Sequence, residues 1–161
     1  MLIEVRKYQD QDLAAMIKIW NEVVADGIAF PQTETLNLDS AGDFFGGQSF
    51  TGVAELEGQI AGLYILHPNN IGRCGHIANA SYAVNSLYRG KHIGERLVLH
   101  SLQQSRDLNF KILQFNAVVE TNSGAVHLYE KLGFVRLGTI PGGFLTKNGK
   151  YENIILFYYA L

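Results

Sequence analysis

Two short segments carry residues whose types and spacing could do chemistry. The first is Tyr88-Arg89-Gly90-Lys91-His92-Ile93-Gly94, which lies where a strand-like stretch gives way to a helix-like one. A helix start leaves backbone N–H groups unpaired and carries a partial positive charge, a natural seat for phosphate. Gly90 and Gly94 would let the backbone approach an anion closely, and Arg89, Lys91 and His92 add positive charge. The same residues also suit an ordinary tight turn, and the segment alone does not choose. It lacks the Gly-Lys-Ser/Thr ending of a P-loop and the glycine spacing of the dinucleotide fingerprint, which disfavours a dinucleotide-dependent oxidoreductase.

The second segment runs from Asn122 to Phe134, Asn-Ser-Gly-Ala-Val-His-Leu-Tyr-Glu-Lys-Leu-Gly-Phe. Asn122 suits a helix N-cap. Ala125, Leu128 and Leu132 form an apolar stripe expected to face the core. Tyr129 follows Asn122 by nearly two helical turns, so the two side chains share a face, roughly 10 Å apart along the axis. A cap amide and a phenol so placed could serve one extended ligand; an amphipathic tyrosine at the core edge fits the spacing equally well.

Elsewhere the chemistry is sparser. His76, His100, His127 and the single Cys74 have no metal-ligand spacing, so no metal is expected, and a lone cysteine usually packs. Ser81 and Ser86 lack a nucleophile-elbow context. Glu22, Glu34 and Glu120 are candidate bases. Phe30-Pro31 and Phe44-Phe45 are candidates for lining an acceptor pocket. Asn116, a polar residue in an apolar run, would face the acceptor or satisfy strand-end backbone.

The elements that must position these residues read as strand, helix, strands, then alternating helix and strand. Leu2–Tyr8 alternates as a strand, and Asp10 or Asp12 can cap a helix to about Ala25. Residues 26–50 break the pattern, with a short helix near Leu38–Phe45, and suit a loop-rich cover. Thr51–Leu56 and Ile60–Leu66 flank a turn at Glu57-Gly58-Gln59, and Gly75–Val84 reads as a long strand. His92–Leu108 has helical spacing at Ile93, Leu97, Val98, Ser101 and Leu102. Lys111–Val119 is a buried strand, Asn122–Leu132 a helix, and Phe134–Thr139 and Tyr151–Tyr159 strands about a turn at Asn148-Gly149. A mixed α/β domain results, a twisted sheet with helices on both faces.

The chain's 161 residues suit one domain spanning 1–161, and 47% hydrophobic against 17% charged residues supports a packed core. No signal peptide or membrane span is expected, and one cysteine fits a cytoplasmic protein. A formal charge of −2 argues against general nucleic-acid binding. The charge is uneven: residues 1–80 hold 4 basic and 10 acidic residues, net −6, and residues 81–161 hold 9 and 5, net +4. That division would suit a cationic amine and an anionic cofactor; chance clustering explains it as well.

Together the two segments resemble the GNAT superfamily of acyl-CoA N-acyltransferases. Arg89 to Gly94 is similar to its pyrophosphate motif Arg/Gln-x-x-Gly-x-Gly/Ala, and Asn122 to Phe134 to its Asn…Ala…Leu-Tyr-x-x-Leu-Gly-Phe signature. The tail from Leu137 to Ile140 and from Asn148 to Tyr151 looks most like the phosphinothricin and amino-acid N-acetyltransferase branch. The resemblance implies a mostly antiparallel sheet of about seven strands, splayed where CoA binds. It implies acetyl-CoA as co-substrate and a small-molecule primary amine, such as an amino acid or analogue, as acceptor. A protein N-terminus or lysine, a non-catalytic acyl-CoA sensor and a homodimer stay open. Residues 89–94 would hold pyrophosphate, Tyr82, Ala83 and Val84 would pair their backbone with the pantetheine arm, and Asn122 would hydrogen-bond that arm. Tyr129 would protonate the departing thiolate. Phe30, Asn79 and Asn116 would face the acceptor. Two positions depart from the pattern. His92 stands at a usual glycine, a strain if φ is positive there, and Asn79 stands where that branch carries a glutamate, and cannot act as a base.

Overall fold

The computed structural model describes residues 2–161. Alternation of Ile3 and Val5 with Glu4 and Arg6 forms β1 (Ile3–Lys7) at one edge of the sheet. A 3₁₀ turn at Asp10–Asp12 leads into α1 (Leu13–Asp26). The buried Asp12 carboxylate accepts the Gln9 N–H at 2.8 Å and two Arg6 N–H groups at 2.8 and 3.1 Å, which ties the helix entry to β1. Arg6 holds that carboxyl below its usual range. The expected short helix is α2 (Leu38–Gly46), capped by Asn37, whose side chain accepts the Ser40 N–H at 2.9 Å.

β2 (Phe50–Leu56) and β3 (Gln59–Pro68) form a hairpin. Its turn residues Glu57 and Gly58 have φ of 51° and 76°, the doubly positive combination whose twist suits a hairpin. β4 (Ile77–Val84) begins two residues later than expected, because Gly72–Cys74 winds into a 3₁₀ turn. Cys74, expected to pack, is exposed there. α3 (Ile93–Asp107), β5 (Ile112–Val119), α4 (Ser123–Lys131), β6 (Val135–Leu145) and β7 (Tyr151–Ala160) follow. β6 runs well past Thr139. It passes Pro141 because it is an edge strand, where a missing N–H costs no ladder bond.

The seven strands lie in the order β1-β2-β3-β4-β5-β7-β6, and all neighbours are antiparallel except β4 and β5. Side chains alternate between faces. Val53, Leu63, Ile65 and Ala83 pack with Met16, Trp20 and Phe45 of α1 and α2. Ala54, Leu56, Tyr64 and Leu66 pack with Leu97, Val98 and Leu102 of α3 on the other face. The expected sheet with helices on both faces is therefore present. The expected burial of the α4 stripe is met in part: Leu128 and Leu132 pack half-buried against the second of these clusters, but no residue of α4 is fully buried, and Ala125 and Leu128 front an open groove.

β4 and β5 pair only at Ile77–Asn79 with Ile112–Gln114. Beyond Asn79 and Gln114 the strands part, and an irregularity between Phe115 and Val118 bends β5 against β7. This fork is the splay of the sheet that the resemblance implies.

Candidate active site

The fork leaves an edge of β4 without a partner. The Asn85 N–H bonds the Ala61 carbonyl and the Asn69 N–H bonds the Ile77 carbonyl, both at 2.8 Å. In an antiparallel ladder successive residues face opposite edges. With the β3–β4 register this turns the backbone groups of Ala80, Tyr82 and Val84 toward the fork and those of Ala83 toward β3. Ala83 is buried on the α1 face and does not line the groove, so of Tyr82–Val84 only the first and last offer it their backbone.

Two cavities open beside this edge, of about 330 and 580 Å³. They share Tyr82, Val84, Gly94, Asn122, Ala125 and Leu128, and so form one groove between β4, β5, α3 and α4. One end reaches the 88–95 turn. The other, the inner chamber, reaches Phe30, Asn79, Ser81 and Asn116.

At the turn, the Arg96 N–H is the first in α3 to reach back, to the His92 carbonyl at 3.2 Å. Among the described residues the N–H groups of Ile93, Gly94 and Glu95 have no partner. A Cβ added at Gly94 would sit 3.7 Å from Leu128 and 3.9 Å from Val84, ordinary contact, so the fold admits a side chain there, and it would lie among residues that line the groove. Arg89 lies at the rim, 3.8 Å from Asp26, and Lys91 lies outside the groove, 5.8 Å from the centre of the Tyr88 ring. Glu95 would repel an anion, but it bonds Lys131 at 3.0 Å, and that bond holds its carboxyl below the usual range.

His92 has φ 63°, left-handed, just before α3. Its side chain is 77% exposed, and the Glu95 carboxylate 3.7 Å away is too weak a partner to offset the backbone cost. His92→Gly is therefore expected to raise stability by about 0.5–1 kcal/mol: the strain relieved is about 1–2 kcal/mol, less the greater freedom of glycine in the unfolded chain. Urea unfolding of the two proteins checks it.

Three tyrosine and amide groups in the groove differ in what they have left to give. The Tyr82 hydroxyl lies 2.7 Å from Ser101 Oγ, and Ser101 donates its only proton to the Val98 carbonyl at 2.7 Å. Tyr82 must therefore donate to Ser101. Tyr129 packs its ring 4.5 Å from that of Phe115 and 5.7 Å from Phe134, and among the described residues its hydroxyl has no hydrogen-bond partner. Burial raises both phenols well above their ordinary value, so both stay protonated through neutral pH. Asn122 holds the N-cap position of α4, but its side chain makes no capping bond and lines the groove.

At the inner end Asn79 Nδ2 donates to the Gln114 carbonyl at 2.9 Å, at the last residue pair before the fork. Gln114 Nε2 donates to Asn116 Oδ1 at 3.0 Å, and Asn116 Nδ2 to Asn69 Oδ1 at 2.6 Å. Phe30 lines the chamber and is also core, with its ring 4.4 Å from that of Trp20. Phe44 and Phe45, expected at the pocket, instead pack edge-on to Trp20 and do not line it. None of Glu22, Glu34 and Glu120 lines it, and among the described residues no cluster could hold a metal. Ser101 and Gln114, which fix Tyr82 and Asn79, escaped the sequence reading. Their signal was a serine in the apolar stripe of α3 and a glutamine in the apolar run of β5.

The sequence matches the Acetyltransferase (GNAT) family over residues 13–134. It is 34% identical over 101 residues to the N-acetyltransferase aca1 of Schizosaccharomyces pombe, covering 62% of this chain and 48% of that protein. The chain thus spans about half the length of that relative. It is 26% identical to YwnH of Bacillus subtilis, provisionally named a phosphinothricin acetyltransferase, over 94% of this chain and 96% of that one. The solved structure of a GCN5-related N-acetyltransferase from Kribbella flavida superposes with a TM-score of 0.90 at 30% identity, over 99% of this chain and 98% of that one.

Proposed function

The chain belongs to the GNAT acetyltransferase family, and on that premise we propose that it is an acetyl-CoA-dependent N-acetyltransferase acting on a primary amine of a small molecule. An amino acid or amino-acid analogue is the proposed acceptor, in keeping with the name of the B. subtilis relative, and a cytoplasmic setting suits the co-substrate. The observation that carries the reading is the groove itself. It joins unpartnered N–H groups at the start of α3, the open edge of β4, and the unspent side chains of Asn122 and Tyr129.

These residues fit acetyl-CoA. The 89–94 turn and the first N–H groups of α3 would take pyrophosphate. Tyr82 and Val84 would pair with the amides of the pantetheine arm, and Asn122 would bond the same arm. Acetyl-CoA supplies an activated thioester carbonyl. In the chamber a β4 N–H would stabilise negative charge developing on the carbonyl oxygen. Asn79 and Asn116 would orient the amine, and Tyr129 would donate a hydrogen bond to the departing sulfur. The amine attacks directly, and no covalent enzyme intermediate is required.

The test is to mix acetyl-CoA with a panel of amines and follow free thiol and N-acetyl product. Binding of acetyl-CoA with no thiol release whatever the amine would oppose the proposal and favour an acyl-CoA sensor, and thiol release with no dependence on any amine would oppose it by showing hydrolysis instead. Acceptor contact is tested separately at Phe30. Truncation to Ala would open the core at a cost of about 3–5 kcal/mol, so Phe30→Leu is the informative change. It is expected to raise the acceptor KM about fivefold, from about 1 kcal/mol of lost aromatic contact, and leave the acetyl-CoA KM nearly unchanged.

A further inference from the structure

Among the described residues, no carboxylate, histidine or lysine lines the inner chamber. The loop after α1 gives it Ala29, Phe30 and Pro31, and α3 gives Gly94 and Val98. β5 gives Phe115, Asn116, Ala117 and Val118. Among the described residues the only titratable side chains facing it are Tyr82 from β4 and Tyr129 from α4, and burial keeps both protonated. The charged groups of the groove, Asp26, Arg89 and Glu95, and the His92 imidazole all line its other end. None of the ten carboxylates of the acidic N-terminal half lines the chamber, and two of them, Asp12 and Glu55, are spent on Arg6. The expectation that this half attracts a cationic amine has no carboxylate in the chamber behind it.

A chamber of apolar, amide and hydroxyl groups disfavours an ammonium ion, which would lose its hydration without gaining a counter-charge. A neutral amine loses much less. Asn79 suits the neutral form in a further way. The Gln114 carbonyl can only accept, so the nitrogen of the Asn79 amide must face it. The Asn79 oxygen is left without a protein partner among the described residues.

Resting on the acetyltransferase reading, we infer that this site acetylates only amines that arrive unprotonated, with Asn79 Oδ1 accepting a hydrogen bond from the attacking nitrogen, so that weakly basic amines are its substrates and alkylammonium groups are not. The balance closes without a stored proton. The C–N bond forms, the C–S bond breaks, and the proton lost by nitrogen ends on the CoA sulfur, with the Tyr129 hydroxyl lying along that path. Asn79 is a positioning residue, since it cannot take the proton.

The size of the effect follows from acceptor ionisation. A peptide α-amino group has a pKa of about 7.7–8.0 and a lysine-like alkylamine about 10.4. At pH 7 their neutral fractions differ about 300-fold. The more basic amine is the better nucleophile, which reduces the expected preference to about 10²-fold. The experiment measures kcat/KM against pH for a dipeptide and an alkylamine of similar size, at saturating acetyl-CoA. Each profile is expected to rise to the acceptor's own pKa and then stay level. Asn79→Ala is expected to lower kcat/KM for the acceptor about tenfold with the rise at unchanged pH, and with thermal midpoint and acetyl-CoA affinity retained. Asn79→Asp, by adding a carboxylate, is expected to move the rise to lower pH. One rise at a common pH for both acceptors would assign the proton to a protein group reached through water, and would overturn the inference. Transfer to no amine, with acetyl-CoA still bound, would overturn the acetyltransferase reading as well.

Discussion

Tyr129→Phe is expected to lower kcat about 10²-fold while leaving thermal midpoint and acetyl-CoA affinity unchanged. The ring, not the hydroxyl, makes the packing contacts with Phe115, Phe134 and Phe157, and phenylalanine keeps all of them. Among the described residues the hydroxyl has no partner to lose. Ordinary values put a phenol at about 10 and a thiol at about 8.5, so complete proton transfer from tyrosine to a free thiolate runs uphill, and burial of Tyr129 steepens it. The hydroxyl therefore works as a hydrogen-bond donor to developing charge on sulfur, passing its proton on only as the amine nitrogen replaces it. That role corresponds to the low end of the 10²–10⁴ range for acid–base catalysis. Steady-state kcat beside a thermal scan and calorimetry checks it. Wild-type turnover would leave Tyr129 as packing.

Gly94→Val is expected to weaken acetyl-CoA binding at least tenfold without destabilising the protein. Valine is no worse than glycine in a helix, and the first side-chain atom meets Leu128 and Val84 at ordinary distances. The branches would project into the groove, where both cavities meet beside the unpartnered N–H groups of α3. Calorimetric titration with acetyl-CoA reads the loss, and unchanged affinity would remove this turn from the cofactor site.

Local signals made the elements legible. Alternation gave β1, the Glu57-Gly58 pair gave the hairpin, and helical spacing gave α3 nearly to the residue. The GNAT resemblance was carried by two segments whose order and spacing survive in the fold as the two walls of the groove. Side-chain partners across the fold were not legible. Ser101 commits the Tyr82 proton from 19 residues away, and Gln114 fixes the Asn79 amide from 35. Asn122 had the residue type of a cap, but its backbone leaves the side chain free, and type alone could not tell the two apart. The α4 stripe serves both ends, since Leu128 and Leu132 pack against the core while Ala125 and Leu128 also front the groove, and spacing alone could not separate the two. The charge division between halves was no guide to the chamber, because net charge does not say where carboxylates lie, and none of the described ones lines it.

Direct acetyl transfer to an amine is tested most directly by intact-protein mass and thiol release in one experiment with acetyl-CoA alone and then with a weakly basic amine. The account predicts an unmodified protein and negligible thiol release until the amine is added, then thiol and N-acetyl amine in equal amounts. An acetylated protein formed from acetyl-CoA alone and discharged by the amine would contradict direct transfer. Binding of acetyl-CoA with no amine-dependent release would contradict catalysis itself.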